Sequence, residues 1–222
     1  MAKKTPLTRI ERYIRLIQNE GLQLAPAAVQ AVVLNSRLKD SVLMVHSPGY
    51  EPHWTLPGGE VDAEDVDLEH ALLREFGEEL GTEELGADVA VGPLRAININ
   101  APNDSRGRPF ELIDYLYEVD ITGGPASMYL RRPTFRLQAD EIAAVEYVPL
   151  EQAPERAGSR KGGRLKGALE AHTNDSLVRL QDGVAIPQRE YARHAERVAY
   201  LNSAGMDYYL AELEKARTRL TR

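Results

Sequence analysis

Apolar residues recur three or four apart at Ile10, Tyr13, Ile14 and Ile17, which predicts an amphipathic helix over 7–19, closed near Gly21, with Arg9, Arg12 and Arg15 on its wet face. The pattern then changes. AAVQAVVL (27–34) is apolar and largely β-branched and predicts a strand, and SVLMVHS (41–47), after the polar NSRLKD turn, predicts a second. Over 66–80 the helical period returns: Leu68, Ala71, Leu72, Phe76 and Leu80 form one stripe, and Gly81 stands where such a helix ends. Three more strands are predicted at VAVGPLRAINI, ELIDYLYEVDI and IAAVEYVPL, the second of them mostly apolar on both faces and therefore central. A long loop, GGPASMYLRRPTFRLQADE, joins the last two. Further on, GSRKGGRLKG reads as a basic connector. Tyr191, Ala195, Val198 and Leu201 then make a helical stripe, and MDYYLAELEKARTRL a second helix.

These elements divide the chain into an N-terminal helical extension (1–21), a catalytic-sized core of mixed sheet and helices (22–155), and a connector with C-terminal helices (156–222). The C-terminal stripe has three possible uses: to cover the chain's own core, to meet a second subunit in a homodimer, or to act as a lid.

Composition narrows the chemistry. The 222 residues suffice for a buried core, and 34 acidic against 27 basic side chains give a formal net charge of -7, which disfavours nucleic acid and anionic membrane as partners. Cysteine is absent, so disulfides, thiolate nucleophiles and thiolate metal sites are excluded. No segment approaches the roughly 20 apolar residues of a membrane span, and the first residues lack a signal-type apolar core, so a cytoplasmic protein is expected.

The chemistry concentrates in LPGGEVDAEDVDLEHALLREFGEELG (56–81). On a helix Glu79 lies about 40° from Glu75 on one side and Glu78 about 60° on the other, so three carboxylates share a face although like charges at this spacing repel. A hard divalent cation, Mg²⁺ or Mn²⁺, offsets that repulsion. The Pro57-Gly58-Gly59 turn lets backbone approach a ligand and supplies carbonyls for a metal shell.

This segment resembles the box of the Nudix hydrolases: Gly, five residues, Glu, seven residues, then Arg-Glu-apolar-any-Glu-Glu-any-Gly-apolar. REFGEELG (74–81) matches the second half residue by residue, with Thr82 in the last apolar place. Taking Gly58 as the family glycine puts Glu64 at the first Glu, but nine residues then precede Arg74, a two-residue insertion around DAEDVD. Glu64, Asp65 and Asp67 are thus all candidates for the carboxylate that supports the loop and Arg74. HWTLPGG and DEIAAVEYVPLEQAP resemble the family's lead-in and closing strand, so the likeness spans about 25–155.

The resemblance implies a Nudix-type α/β/α sandwich around a mixed sheet, here with added N-terminal and C-terminal helices. It also implies hydrolysis of the pyrophosphate bond in a nucleoside diphosphate derivative by metal-activated water, releasing a nucleoside monophosphate. Glu75, Glu78 and Glu79 carry over as ligands of Mg²⁺, with Mn²⁺ as substitute, Gly58 or Gly59 as a carbonyl ligand, and Arg74 as an orienting partner. The general base is Glu78, Glu111 or Glu141. Arg131, Arg132 and Arg136 are candidates for substrate phosphates. His53, Trp54, Phe110 and Tyr129 are candidates for the base, each with a packing role as the alternative.

The substrate class stays open among nucleotide sugars, ADP-ribose-like molecules and nucleoside triphosphates, because the residues that mark the family's subclasses are missing; Pro102 falls too late for one of them. Two rival functions remain: a catalytically idle Nudix-fold module that senses a nucleotide or binds a protein, and an RNA 5′-end pyrophosphohydrolase using GSRKGGRLKG to follow a phosphate backbone. An isomerase of isoprenoid diphosphates would want a cysteine that the chain lacks.

Overall fold

AAVQAVV forms β1 (Ala27–Val33), buried almost throughout, with Val29, Ala31 and Val33 turned to one layer and Val32 to the other. The computed structural model describes residues 27–35, 37, 40–47, 54–62, 65–101, 111–138 and 141–201. The helices expected over 7–19 and 206–220, together with His53, Glu64 and Phe110, lie outside the described residues.

Six further strands follow: β2 (Ser41–His46), β3 (Ala87–Asn100), β4 (Leu112–Gly123), β5 (Ala144–Pro149), β6 (Val178–Gln181) and β7 (Val184–Ala185). Five make one sheet in the order β1-β4-β3-β6-β7, and β2 and β5 pair separately. β1 runs parallel to β4, β3 antiparallel to β4, and β6 parallel to β3, so the sheet is mixed. β4, the apolar strand, lies between β1 and β3 as its sequence predicts. In β3 the register slips around Gly92-Pro93, where proline has no N–H to give the ladder.

Helix α1 (Leu68–Leu80) lays Ala71, Leu72, Phe76 and Leu80 on the layer that contains Val29, Ala31, Ile113 and Tyr115. Helices α2 (Ala153–Ala157) and α3 (Ser159–Thr173) cover the opposite layer, where Ala153, Ala157, Leu165 and Ala168 meet Val32, Leu116 and Ala96. This is the expected sandwich of helices around a mixed sheet.

The stretch GSRKGGRLKG is not a connector: it is the first part of α3. Its glycines are the reason. A Cβ on Gly162 would fall 2.0 Å from the Pro154 carbonyl oxygen, and one on Gly163 2.5 Å from that of Gly183, so the helix is seated against backbone on two sides. Each glycine costs a helix about 1 kcal/mol, and close packing offsets this where composition alone suggests a break. Gly162→Ala is therefore expected to destabilise the fold by about 1–3 kcal/mol in urea denaturation. Gly77→Ala, with nothing within 4 Å of its added Cβ, is expected to stabilise α1.

No element is expected from sequence between 174 and 187, yet β6 and β7 form a hairpin there. Its turn is Asp182-Gly183, both at positive φ (50° and 78°), the dipeptide that a two-residue hairpin prefers. Because β6 pairs with β3, the sheet continues past the boundary expected at 155. Residues 191–201 are helical, and Val198 and Leu201 enter the main core cluster. As far as residue 201, then, the C-terminal stripe covers the chain's own core. Among the described residues no helix is long and apolar enough to cross a membrane.

Candidate active site

The segment after Trp54 runs antiparallel along the outer edge of β1. Ala31 N–H donates to the Pro57 carbonyl (2.8 Å), Val29 N–H to the Gly59 carbonyl (2.9 Å) and Val61 N–H to the Ala27 carbonyl (2.9 Å). Glycine is required at 58: its φ is +129°, and a Cβ would stand 2.2 Å from the Val29 carbonyl oxygen. At 59 a Cβ would lie 2.4 Å from Glu75 Oε2, so a side chain there would displace that carboxylate rather than meet backbone.

Helix α1 brings its acids to this turn. Asp67 caps it, accepting from His70 N–H at 2.7 Å, and Gly81 closes it in the left-handed region. The loop 133–138 then seals the open end, with Arg136 N–H donating to the Leu80 carbonyl (3.1 Å) and Gln138 N–H to that of Glu79 (3.3 Å). Glu79, buried among the apolar stripe, accepts from Gly58 N–H at 2.9 Å. Burial pushes its carboxyl up to about 8 against that hydrogen bond, with the charges of Glu75, Glu141 and Glu78 adding to the rise. Glu75 is likewise raised, first by burial, and Arg74 opposes the rise.

Arg74 is the organising cation. Its Nε and Nη2 form a two-pronged pair with Asp65 (3.0 and 2.9 Å), Nη2 also reaches the Glu60 carbonyl (3.1 Å), and Nη1 is shared by Glu75 (2.8 Å) and Glu78 (3.2 Å). Asp65, held below the usual carboxylate range by these bonds to Arg74, is thus the supporting carboxylate; Asp67 is the helix cap. Counted from Gly59, Asp65 follows after five residues and Arg74 after eight more, so the geometry needs one inserted residue where sequence counting from Gly58 suggests two.

The donors here are all oxygens, the set a hard divalent cation takes, and Gly59 leaves the Glu75 carboxylate room that a side chain would fill. Glu75 and Glu79 lie on the glycine turn, whereas Glu78, half exposed, rests against Arg74. Among the described residues no three acidic or imidazole side chains close on one point as they stand. The Gly59 carbonyl accepts from Val29 N–H.

The remaining sequence candidates separate. Glu141 follows the sealing loop, and its charge is felt by both Glu75 and Glu79. Glu111 is instead ion-paired with Arg197 of the C-terminal helix. Arg136 is exposed and pairs with Glu84, and Arg132 is exposed. Trp54 is covered by Arg156, whose guanidinium carbon sits 4.1 Å from the ring centroid, and it packs against the α3-side cluster as an anchor. Tyr129 donates its hydroxyl to the Gly123 carbonyl at 2.8 Å and holds the loop to β4. Gln30 and Asp114, both buried, were not singled out from sequence, because a lone polar residue in an apolar strand carries no spacing signal.

An oxygen-donor set on a helix beside a glycine turn suits a hard divalent cation, which can neutralise phosphate oxygens. The chain belongs to the NUDIX domain family, whose model matches residues 24–165, and is a pyrophosphohydrolase of that class. The family acts on nucleoside diphosphate derivatives and generally uses divalent metal ions. Similar solved structures include a UDP-X diphosphatase, 16% identical, covering 79% of this chain and 76% of that one with a TM-score of 0.52. A NUDIX hydrolase from Nitrosomonas europaea is 17% identical, covering 72% and 79% with a TM-score of 0.50. An ADP-ribose pyrophosphatase from Streptococcus suis is 20% identical, covering 70% and 98% with a TM-score of 0.48. At these identities the likeness concerns the fold. No curated protein matches the sequence.

Proposed function

We propose that this chain is a cytoplasmic, Mg²⁺-dependent enzyme that hydrolyses the pyrophosphate bond of a small nucleoside diphosphate derivative and releases a nucleoside monophosphate. The observation that carries the reading is the seating of Glu75 and Glu79 on the Gly58-Gly59 turn, where two carboxyl groups are brought together with hydrogen-bond donors and, among the described residues, Arg74 as the paired cation. Glu75, Glu78, Glu79 and the Gly58 carbonyl would hold the ion, which when bound neutralises phosphate oxygens and acidifies water. Arg74, clasped by Asp65, keeps Glu75 and Glu78 oriented. Glu141 takes the proton of the attacking water, a role favoured over Glu111 because Glu111 is tied to Arg197.

An idle module has no physical reason to keep the mutually repelling acids. RNA-backbone tracking by GSRKGGRLKG is disfavoured because Arg164 of that stretch is buried against Asp114. A homodimer stays part of the proposal as the commonest closed assembly; of the C-terminal stripe, Val198 and Leu201 are used by the chain's own core. The test is a panel of nucleotide sugars, ADP-ribose-like molecules and nucleoside triphosphates, with both products weighed by mass spectrometry. Release of nucleoside monophosphate that needs Mg²⁺ and falls at least about a hundredfold in Glu78→Gln is expected; equal release by both proteins would overturn the assignment.

A further inference from the structure

The loop entering α1 carries Asp65 and Asp67, and either carboxylate is near enough in sequence to meet Arg74. His70 is bonded to both. Its backbone N–H donates to Asp67 Oδ1 at 2.7 Å, and its ring Nδ1 stands 3.1 Å from Asp65 Oδ1. Asp65 is held below the usual carboxylate range by Arg74 first and by His70 after it. An ionised carboxylate can only accept, so the ring nitrogen is the donor. One residue thus commits Asp67 to the helix cap and Asp65 to the guanidinium.

With that bond both oxygens of Asp65 are doubly engaged. Oδ1 accepts from Arg74 Nε (3.0 Å) and from His70, and Oδ2 from Arg74 Nη2 (2.9 Å) and Asp62 N–H (2.6 Å). Two of the four bonds come from Arg74 and one from the loop's own backbone. Among the described residues, the His70 bond is therefore what ties the carboxylate to α1 independently of the guanidinium. The Asp65 side chain is 1% exposed, whereas the imidazole that meets it is 54% exposed and buries little apolar surface of its own. The consequence reaches the acids through Arg74. A guanidinium is planar, so fixing its Nε–Nη2 edge on Asp65 fixes the direction of Nη1, which meets Glu75 at 2.8 Å and Glu78 at 3.2 Å.

We propose that His70 is a positioning residue of the active site: it holds Asp65 to α1, Asp65 holds one edge of Arg74, and the far end of that plane sets Glu75 and Glu78 for the divalent cation. The inference rests on the reading of those acids as ion ligands, and adds a residue from among the unspecified positions of the box.

Full-length wild type, His70→Leu and His70→Asn are compared, because asparagine Nδ2 takes nearly the place of imidazole Nδ1 and leucine offers no donor. All three keep the backbone N–H that meets Asp67, so the melting temperatures of the metal-free proteins are expected to agree closely. Mn²⁺ affinity, measured by calorimetry, is expected to fall about fivefold in His70→Leu and to return to within about twofold of wild type in His70→Asn. With Mg²⁺ and a cleaved nucleotide, kcat should fall by a similar factor in His70→Leu while KM stays near wild type. In an Asp65→Ala background, where the link is cut, His70→Leu is expected to add nothing. Equal Mn²⁺ affinity in wild type and His70→Leu overturns the inference and leaves the metal-site reading standing. So does a loss that His70→Asn fails to recover or that persists beside Asp65→Ala, and so does a melting temperature that falls in step with affinity, the result for a residue that only supports the helix. If Asp65→Ala does not fold, the asparagine comparison decides alone. A wild type that binds no Mn²⁺ removes the metal-site reading itself, and the inference with it.

Discussion

Glu79→Gln is expected to lose activity by at least about a hundredfold at saturating Mg²⁺ while raising the melting temperature of the metal-free protein. Glutamine keeps an oxygen for the Gly58 N–H and removes a charge that burial and three neighbouring acids oppose. The sign follows from linkage. The carboxyl titrates near 4.5 when free and near 8 when folded, so its charge destabilises the fold progressively as pH rises through that window. The gain in melting temperature should accordingly be larger at pH 8 than at pH 5, and added Mg²⁺ should stabilise wild type more than the variant. A variant less stable than wild type without metal would show that Glu79 is held by packing and hydrogen bonding alone.

The two glycines of the turn should respond differently to the same added methyl. Gly58→Ala meets backbone, the Val29 carbonyl oxygen at 2.2 Å, and must hold a φ of +129°, so a loss of about 3 kcal/mol or more in chemical denaturation is expected. Gly59→Ala meets the mobile end of one side chain, the Glu75 carboxylate at 2.4 to 2.7 Å. That end can move aside, so the fold should be nearly as stable as wild type, while Glu75 leaves its place and activity drops at least about tenfold with weaker Mg²⁺ dependence. A Gly59→Ala enzyme with wild-type kcat and metal titration would remove Glu75 from the ion's surroundings.

Much of this site is written in local sequence. The stripe of α1, its end at Gly81 and the shared face of Glu75 and Glu79 follow from helical period alone, because one helix carries all of them. The choice among Glu64, Asp65 and Asp67 does not, since the loop entering α1 can place any of the three beside Arg74 until its path is known; the path gives Asp65 to Arg74 and Asp67 to the helix cap. Glu111 and Glu141 are equivalent in composition, and they part only because the sealing loop leads to Glu141 while the C-terminal helix supplies Arg197 to Glu111.

The amino-acid order by itself determined the strands with strong β-branched or apolar runs, the acidic helix and the glycine turn, all of which depend on neighbours within a few residues. The tertiary structure alone decided that GSRKGGRLKG is helix, that the hairpin turned at Asp182-Gly183 extends the sheet from β3, and that Gln30 is buried. Those outcomes depend on backbone meeting backbone in other elements, Gly162 on Pro154 and Gly163 on Gly183, and the absence of a Cβ says nothing about its partner until the chain has folded against it.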